Sequence, residues 1–79
     1  MRLTYDPRLN IAYLRLREKT DGVRTVRVSD ELNVDIAPDG TVYGVEFLNA
    51  TAQLKDADGG RFVYRDEASG EQREISLSR

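Results

Sequence analysis

Leu32-Asn33-Val34-Asp35-Ile36-Ala37-Pro38-Asp39-Gly40-Thr41-Val42-Tyr43-Gly44-Val45-Glu46-Phe47-Leu48 sets two alternating apolar/polar runs around a Pro-Asp-Gly turn signal. That pattern specifies a β-hairpin. Alternate side chains of a strand point to opposite faces, so Leu32, Val34 and Ile36 must share a face with Tyr43, Val45 and Phe47 if both strands cover one core. This parity requires an even loop, either Asp39-Gly40 or Pro38 to Thr41, because a three-residue loop would turn Val45 and Phe47 outward. In the resulting register Asn33 lies across from Glu46 and Asp35 across from Gly44, all on the other face.

Working outward, Leu3 and Tyr5 alternate with Arg2 and Thr4, and Asp6-Pro7 supplies a turn. From Ile11 to Arg17 the period is again two, with Ala12, Leu14 and Leu16 on one face and Ile11, Tyr13, Arg15 and Arg17 on the other. Asp21-Gly22 turns the chain into a β-branched stretch, Val23 to Val28, with Val26 and Val28 inward. Downstream, Asn49 is expected to cap at most two helical turns through Leu54, ended by Gly59-Gly60. Phe62 and Tyr64, then Ile75 and Leu77, form a second, more charged hairpin around Ser69-Gly70.

The expectation is one mainly β domain over residues 1–79, a small antiparallel sheet of six to seven short strands built from hairpins, with at most one short helix. Residues 1–50 form its β core, and residues 51–79 a short helix or loop plus the C-terminal hairpin. The expected core is Leu3, Tyr5, Ala12, Leu14, Leu16, Val26, Val28, Leu32, Val34, Ile36, Tyr43, Val45 and Phe47.

A chain of 79 residues buries only about 60% of the surface its unfolded form exposes. Its stability is then on the order of 5 kcal/mol unless a partner surface adds to the core. A sheet with one uncovered apolar face points to a homo-oligomer, a dimer. Cysteine and histidine are both absent, which excludes disulfides, Ser-His-Asp and Cys-His chemistry, and zinc bound through thiolate or imidazole. Carboxylates, tyrosines, Lys19, Lys55 and arginines remain, so the expectation is a protein that is not an enzyme and takes no cofactor. Met1 to Pro7 is charged and turn-forming, unlike a secretory leader, and no run approaches the roughly 18 apolar residues of a membrane helix. A cytoplasmic location without membrane association follows as the expectation.

The net charge of −2 conceals a division. Residues 1–28 hold seven basic and three acidic groups, whereas residues 29–79 hold five basic and eleven acidic ones. Arg2, Tyr13, Arg15, Arg17 and Arg27 fall on one face and form a candidate partner-binding surface. Arginines around an aromatic can hold phosphates and stack on bases. The acidic balance of the whole chain instead favours solvated arginine stems, or an acidic protein partner, over nucleic acid.

Asn33, Asp35 and Glu46 form an alternative carboxylate site, for a hard cation or a small metal-dependent enzyme. They offer few oxygen ligands, and a solvated sheet face produces the same alternation. Asp56-Ala57-Asp58-Gly59-Gly60, with Glu67 at the twelfth position, is similar to the opening of a calcium loop, but Arg61 stands where the sharp turn needs glycine. No catalytic residue and no metal ligand is assigned. Gly44 permits close approach of another backbone or a tyrosine ring, with a local bulge or twist as the simpler cause.

Leu3-Thr4-Tyr5-Asp6-Pro7, Ala12-Tyr13-Leu14-Arg15-Leu16, Leu32 to Ile36 with Asp39-Gly40, and Val42 to Ala50 taken together resemble a family of small bacterial proteins, domain-of-unknown-function family 2283, over residues 2–50. The stretch from Thr51 onward does not align with that family's usual short C-terminus. The resemblance implies a binding role, antitoxin-like, since some members are encoded beside small toxin-like proteins. It implies no catalytic residues.

Overall fold

A computed structural model describes residues 1–18 and 21–77. Lys19, counted above among the groups available for catalysis, lies outside the described residues. Among the described residues seven strands form: β1 Arg2–Asp6, β2 Ile11–Arg15, β3 Arg24–Ser29, β4 Leu32–Ile36, β5 Val42–Leu48, β6 Arg61–Arg65 and β7 Gln72–Ser76. They divide between two antiparallel sheets rather than joining in one, a five-stranded sheet of order β1-β2-β5-β4-β3 and the separate hairpin β6-β7. β5 inserts between β2 and β4, so β2 and β3 are consecutive in the chain without pairing.

The central hairpin has the expected register, Asn33 opposite Glu46 and Asp35 opposite Gly44, but reaches it by another route. Its loop has three residues, Pro38 to Gly40. The Ala37 amide donates to Thr41 O at 2.8 Å and the Gly40 amide to Ala37 O at 2.9 Å. Gly40 adopts the left-handed φ of 89° that this turn demands. The one-residue slip is then cancelled by a bulge: Ile36 pairs with Val42 while Asp35 pairs with Gly44, which leaves Tyr43 as the extra residue. Parity governs Val45 and Phe47 as expected; the loop length alone does not set it.

Apolar side chains line up in register across all five strands, Leu3–Leu14–Val45–Val34–Val26, beside a second row Tyr5–Ala12–Phe47–Leu32. The expected core residues are mostly half-buried. Among the described residues the fully enclosed apolar ones are Ala12, Ala37 and Ala50, and no large side chain is fully buried. Two members of the expected core are exposed. Val28 lies at a register shift between Arg27 and Ser29, which turns it outward, and Leu16 follows the end of β2, two residues short of the Arg17 limit read from alternation.

After β5 the chain makes the short helical segment Ala52–Asp56. Asn49 does not cap it. Asn49 sits at φ 54°, and Asn10, itself at φ 58°, supplies the cap, its Oδ1 accepting from the Thr51 amide at 2.7 Å. The expected local cap is displaced because the Asn49 side chain is held by Asn10 and Glu31.

Candidate functional site

The polar face of the five-stranded sheet carries two rows of its own, Thr4–Tyr13–Glu46–Asn33–Arg27 and Arg2–Arg15–Gly44–Asp35–Thr25. Tyr13 reaches out of its row, across β5, and donates its hydroxyl to Asp35 Oδ2 at 2.7 Å. The passage exists because Gly44 has no side chain: a Cβ there would stand 2.6 Å from Tyr13 Cζ. Thr25 donates to the other oxygen, Asp35 Oδ1, at 2.6 Å, and Asn33 Nδ2 donates to Glu46 Oε1 at 2.9 Å. Burial, then the hydrogen bond to Asp35 and its negative charge, push the Tyr13 hydroxyl above the usual phenol range.

This geometry brings Asn33, Asp35 and Glu46 onto one face and engages them there. Both Asp35 oxygens and one Glu46 oxygen already accept hydrogen bonds, and Tyr13 is held as a donor. Among the described residues no group of three or more Asp or Glu side chains converges as a metal ion requires. Asp58, from the calcium-like stretch, spends its Oδ1 on the Gly60 and Arg61 amides at 3.3 and 3.2 Å.

The arginine face is brought together in part. Arg2, Tyr13, Arg15 and Arg27 share it, and Arg2 pairs directly with Arg15. Arg27 forms an ion pair with Asp30. Arg17 lies beyond β2 and donates from Nε to Val42 O at 3.1 Å. Sequence reasoning missed Thr25, although its alternation with the inward Val26 was a usable signal.

It also missed the knot at the other end of the sheet. There Gln53 Nε2 donates to Glu31 O at 2.9 Å and Leu48 O at 2.6 Å, and Asn49 bridges Asn10 and Glu31. Asparagine tolerates a left-handed backbone better than most residues, and that identity is the one local signal for Asn10.

On the apolar side, a cleft of about 250 Å³ lies between Leu3 and Tyr5, Leu54 and Lys55, and Ser76 and Leu77. Tyr5 is pinned there, its hydroxyl bonded to Thr51 Oγ1 and its ring 5.2 Å below the Lys55 ammonium. The apolar residues of β3, β4 and β5 on this side, Val26, Leu32, Val34, Ile36, Val45 and Phe47, are only half-buried.

Residues 2–50 match a family model described as "Protein of unknown function (DUF2283)". No curated protein and no solved structure matches the chain. No helix among the described residues is long and apolar enough to cross a membrane.

Proposed function

The chain belongs to the DUF2283 family, whose function is unknown, and we propose that it is a non-enzymatic protein-binding module that first binds a second copy of itself through its apolar surface. One observation carries this reading. The chain exposes 6038 Å², whereas a compact monomer of its 9.0 kDa exposes about 4,900 Å². The excess, roughly 1,100 Å², exceeds the ~800 Å² that each partner contributes to a standard specific interface.

Shape agrees with area, since the radius of gyration is 14.1 Å against about 11.6 Å for a compact chain of this length. With no large side chain fully buried among the described residues, the isolated fold lacks the core that stability requires. A second copy supplies the missing layer, because an apolar face is complementary to another apolar face and a two-fold arrangement closes without leaving a free patch.

Such a dimer leaves the polar face outward, with Arg2 beside Arg15 and neither in an ion pair among the described residues. That pair, with Tyr13 and Arg27, is the surface we assign to a small acidic protein partner; an antitoxin-like neutralising role is one form of it. Light scattering over a wide concentration range tests the first step. Twice the 9.0 kDa chain mass is expected, and a monomer at every concentration would overturn the reading.

A further inference from the structure

We propose that the β6–β7 hairpin is an exchanged arm, which lays its Phe62, Tyr64 and Ile75 face on the apolar face of the five-stranded sheet of a second copy and receives that copy's arm in return. This rests on the self-association reading above and assigns the element that carries it.

The arm has two unlike faces. Phe62 pairs with Ile75 and Tyr64 with Arg73 on one side. On the other, Arg61 pairs with Glu74 and Arg65 hydrogen-bonds Gln72. The second face is mostly polar, with Val63, 41% exposed, its one apolar residue. The first carries three: Phe62, Tyr64 and Ile75 are 51, 56 and 58% exposed. No residue of either strand is buried, and a two-stranded hairpin with both faces in water is marginal. Its order calls for an apolar platform.

The same chain carries an apolar platform that its own fold leaves half-buried, the Leu14–Val45–Val34–Val26 row. Within its own subunit the apolar residues of the arm, Phe62, Tyr64 and Ile75, stay more than half exposed. The arm meets the sheet at its base, where Ser76 and Leu77 line the cleft with Leu3 and Tyr5, and the Leu77 amide closes on Gly60 O. The remaining dimensions suit a second copy. An arm of two five-residue strands is about 17 Å long and 10 Å wide, and five strands spread over about 24 Å. The arm therefore covers the part of the face that the helical segment leaves open. Gly59 and Gly60, at the left-handed φ of 73° and 84° that glycine adopts without strain, set the turn from which the arm leaves.

The experiment uses the full chain. It has no tryptophan, so Phe62→Trp introduces a single reporter on the arm at little risk to the fold. Its emission is expected to shift to the blue in step with the rise in mass from monomer to dimer. Fully solvated emission from a dimer, or a blue shift that ignores concentration, overturns the arm.

A complementation test identifies the receiving surface. Phe62→Ser with Ile75→Ser removes the arm, and Val26→Lys spoils the platform. Each variant alone is expected to be monomeric, and an equimolar mixture to regain dimer, because one intact arm then meets one intact sheet. A dimeric arm variant, or a mixture that stays monomeric, overturns the proposal while the self-association reading stands. A wild-type chain that is monomeric throughout removes both.

Discussion

The ring of Tyr13 lies across Gly44, so close that any side chain on Gly44 would overlap it. Glycine normally weakens a strand interior, since it loses more backbone entropy on folding and packs nothing. Here it is the condition for a bond between β2 and β4 that skips the strand between them, the Tyr13–Asp35 hydrogen bond.

Gly44→Ala is therefore expected to destabilise the fold by about 1–3 kcal/mol, the usual range for overpacking, although alanine is the better strand residue. In a Tyr13→Ala background the same substitution should cost less than about 0.5 kcal/mol, because the obstructed ring is gone. Urea denaturation of the four chains measures both. Equal costs in the two backgrounds would mean that β5 itself, and not Tyr13, requires glycine.

The Tyr13–Asp35 bond also predicts a pH dependence. The Tyr13 hydroxyl titrates above its ordinary 10.0 in the folded chain, so the folded state retains a proton that the unfolded state releases. Stability from this group is fully present below about pH 10 and declines as pH rises beyond it. Tyr13→Phe should lower stability at pH 7 by about 1 kcal/mol, the typical worth of a hydrogen bond, and flatten the alkaline decline. Thermal melts between pH 8 and pH 11 read both effects. An identical alkaline decline in the variant would assign it to another group.

How much of this was legible beforehand differs from element to element. The pairing of Asn33 with Glu46 and Asp35 with Gly44 followed from side-chain parity. Parity counts residues by twos and cannot distinguish an even loop from an odd loop followed by a bulge, so the bulge at Tyr43 stayed hidden. Val28 was misread for the same reason, through the register shift beside it. The insertion of β5 beside β2 depends on long-range association, and no local pattern encodes it. The Tyr13–Asp35–Thr25 seam required that insertion, since Tyr13 and Asp35 lie on strands that do not pair.

Asn10 illustrates the same limit and carries its own prediction. It holds a left-handed φ of 58°, donates to Asn49 Oδ1 at 3.2 Å and caps Thr51 from a distant part of the chain. Asn10→Ala loses both the cap, worth about 1 kcal/mol, and the tolerance for a left-handed backbone, worth roughly 1–2 kcal/mol. Asn10→Gly restores only the second. The expected order of stability is wild type, then glycine, then alanine, read as midpoints of chemical denaturation. Alanine equal to glycine would show that the backbone conformation there is not under strain.

The carboxylates give the last prediction, which separates a binding module from a metal-dependent enzyme. A cation arriving at Asp35 would have to displace two hydrogen-bond donors, Tyr13 and Thr25, and at Glu46 it would compete with Asn33. Neither exchange is favourable for a hard ion that keeps its water readily and needs six or more oxygens. A site with a dissociation constant of about 0.1 mM, exposed to about 10 mM ion, would stabilise the fold by about 2.7 kcal/mol. In a domain of this size that is a rise in Tm of about 10 °C or more. Magnesium, calcium and manganese are each expected to leave Tm unchanged. A rise that disappears in Asp35→Asn and Glu46→Gln would instead make this seam a metal site and put the metal-dependent enzyme reading ahead of the binding module.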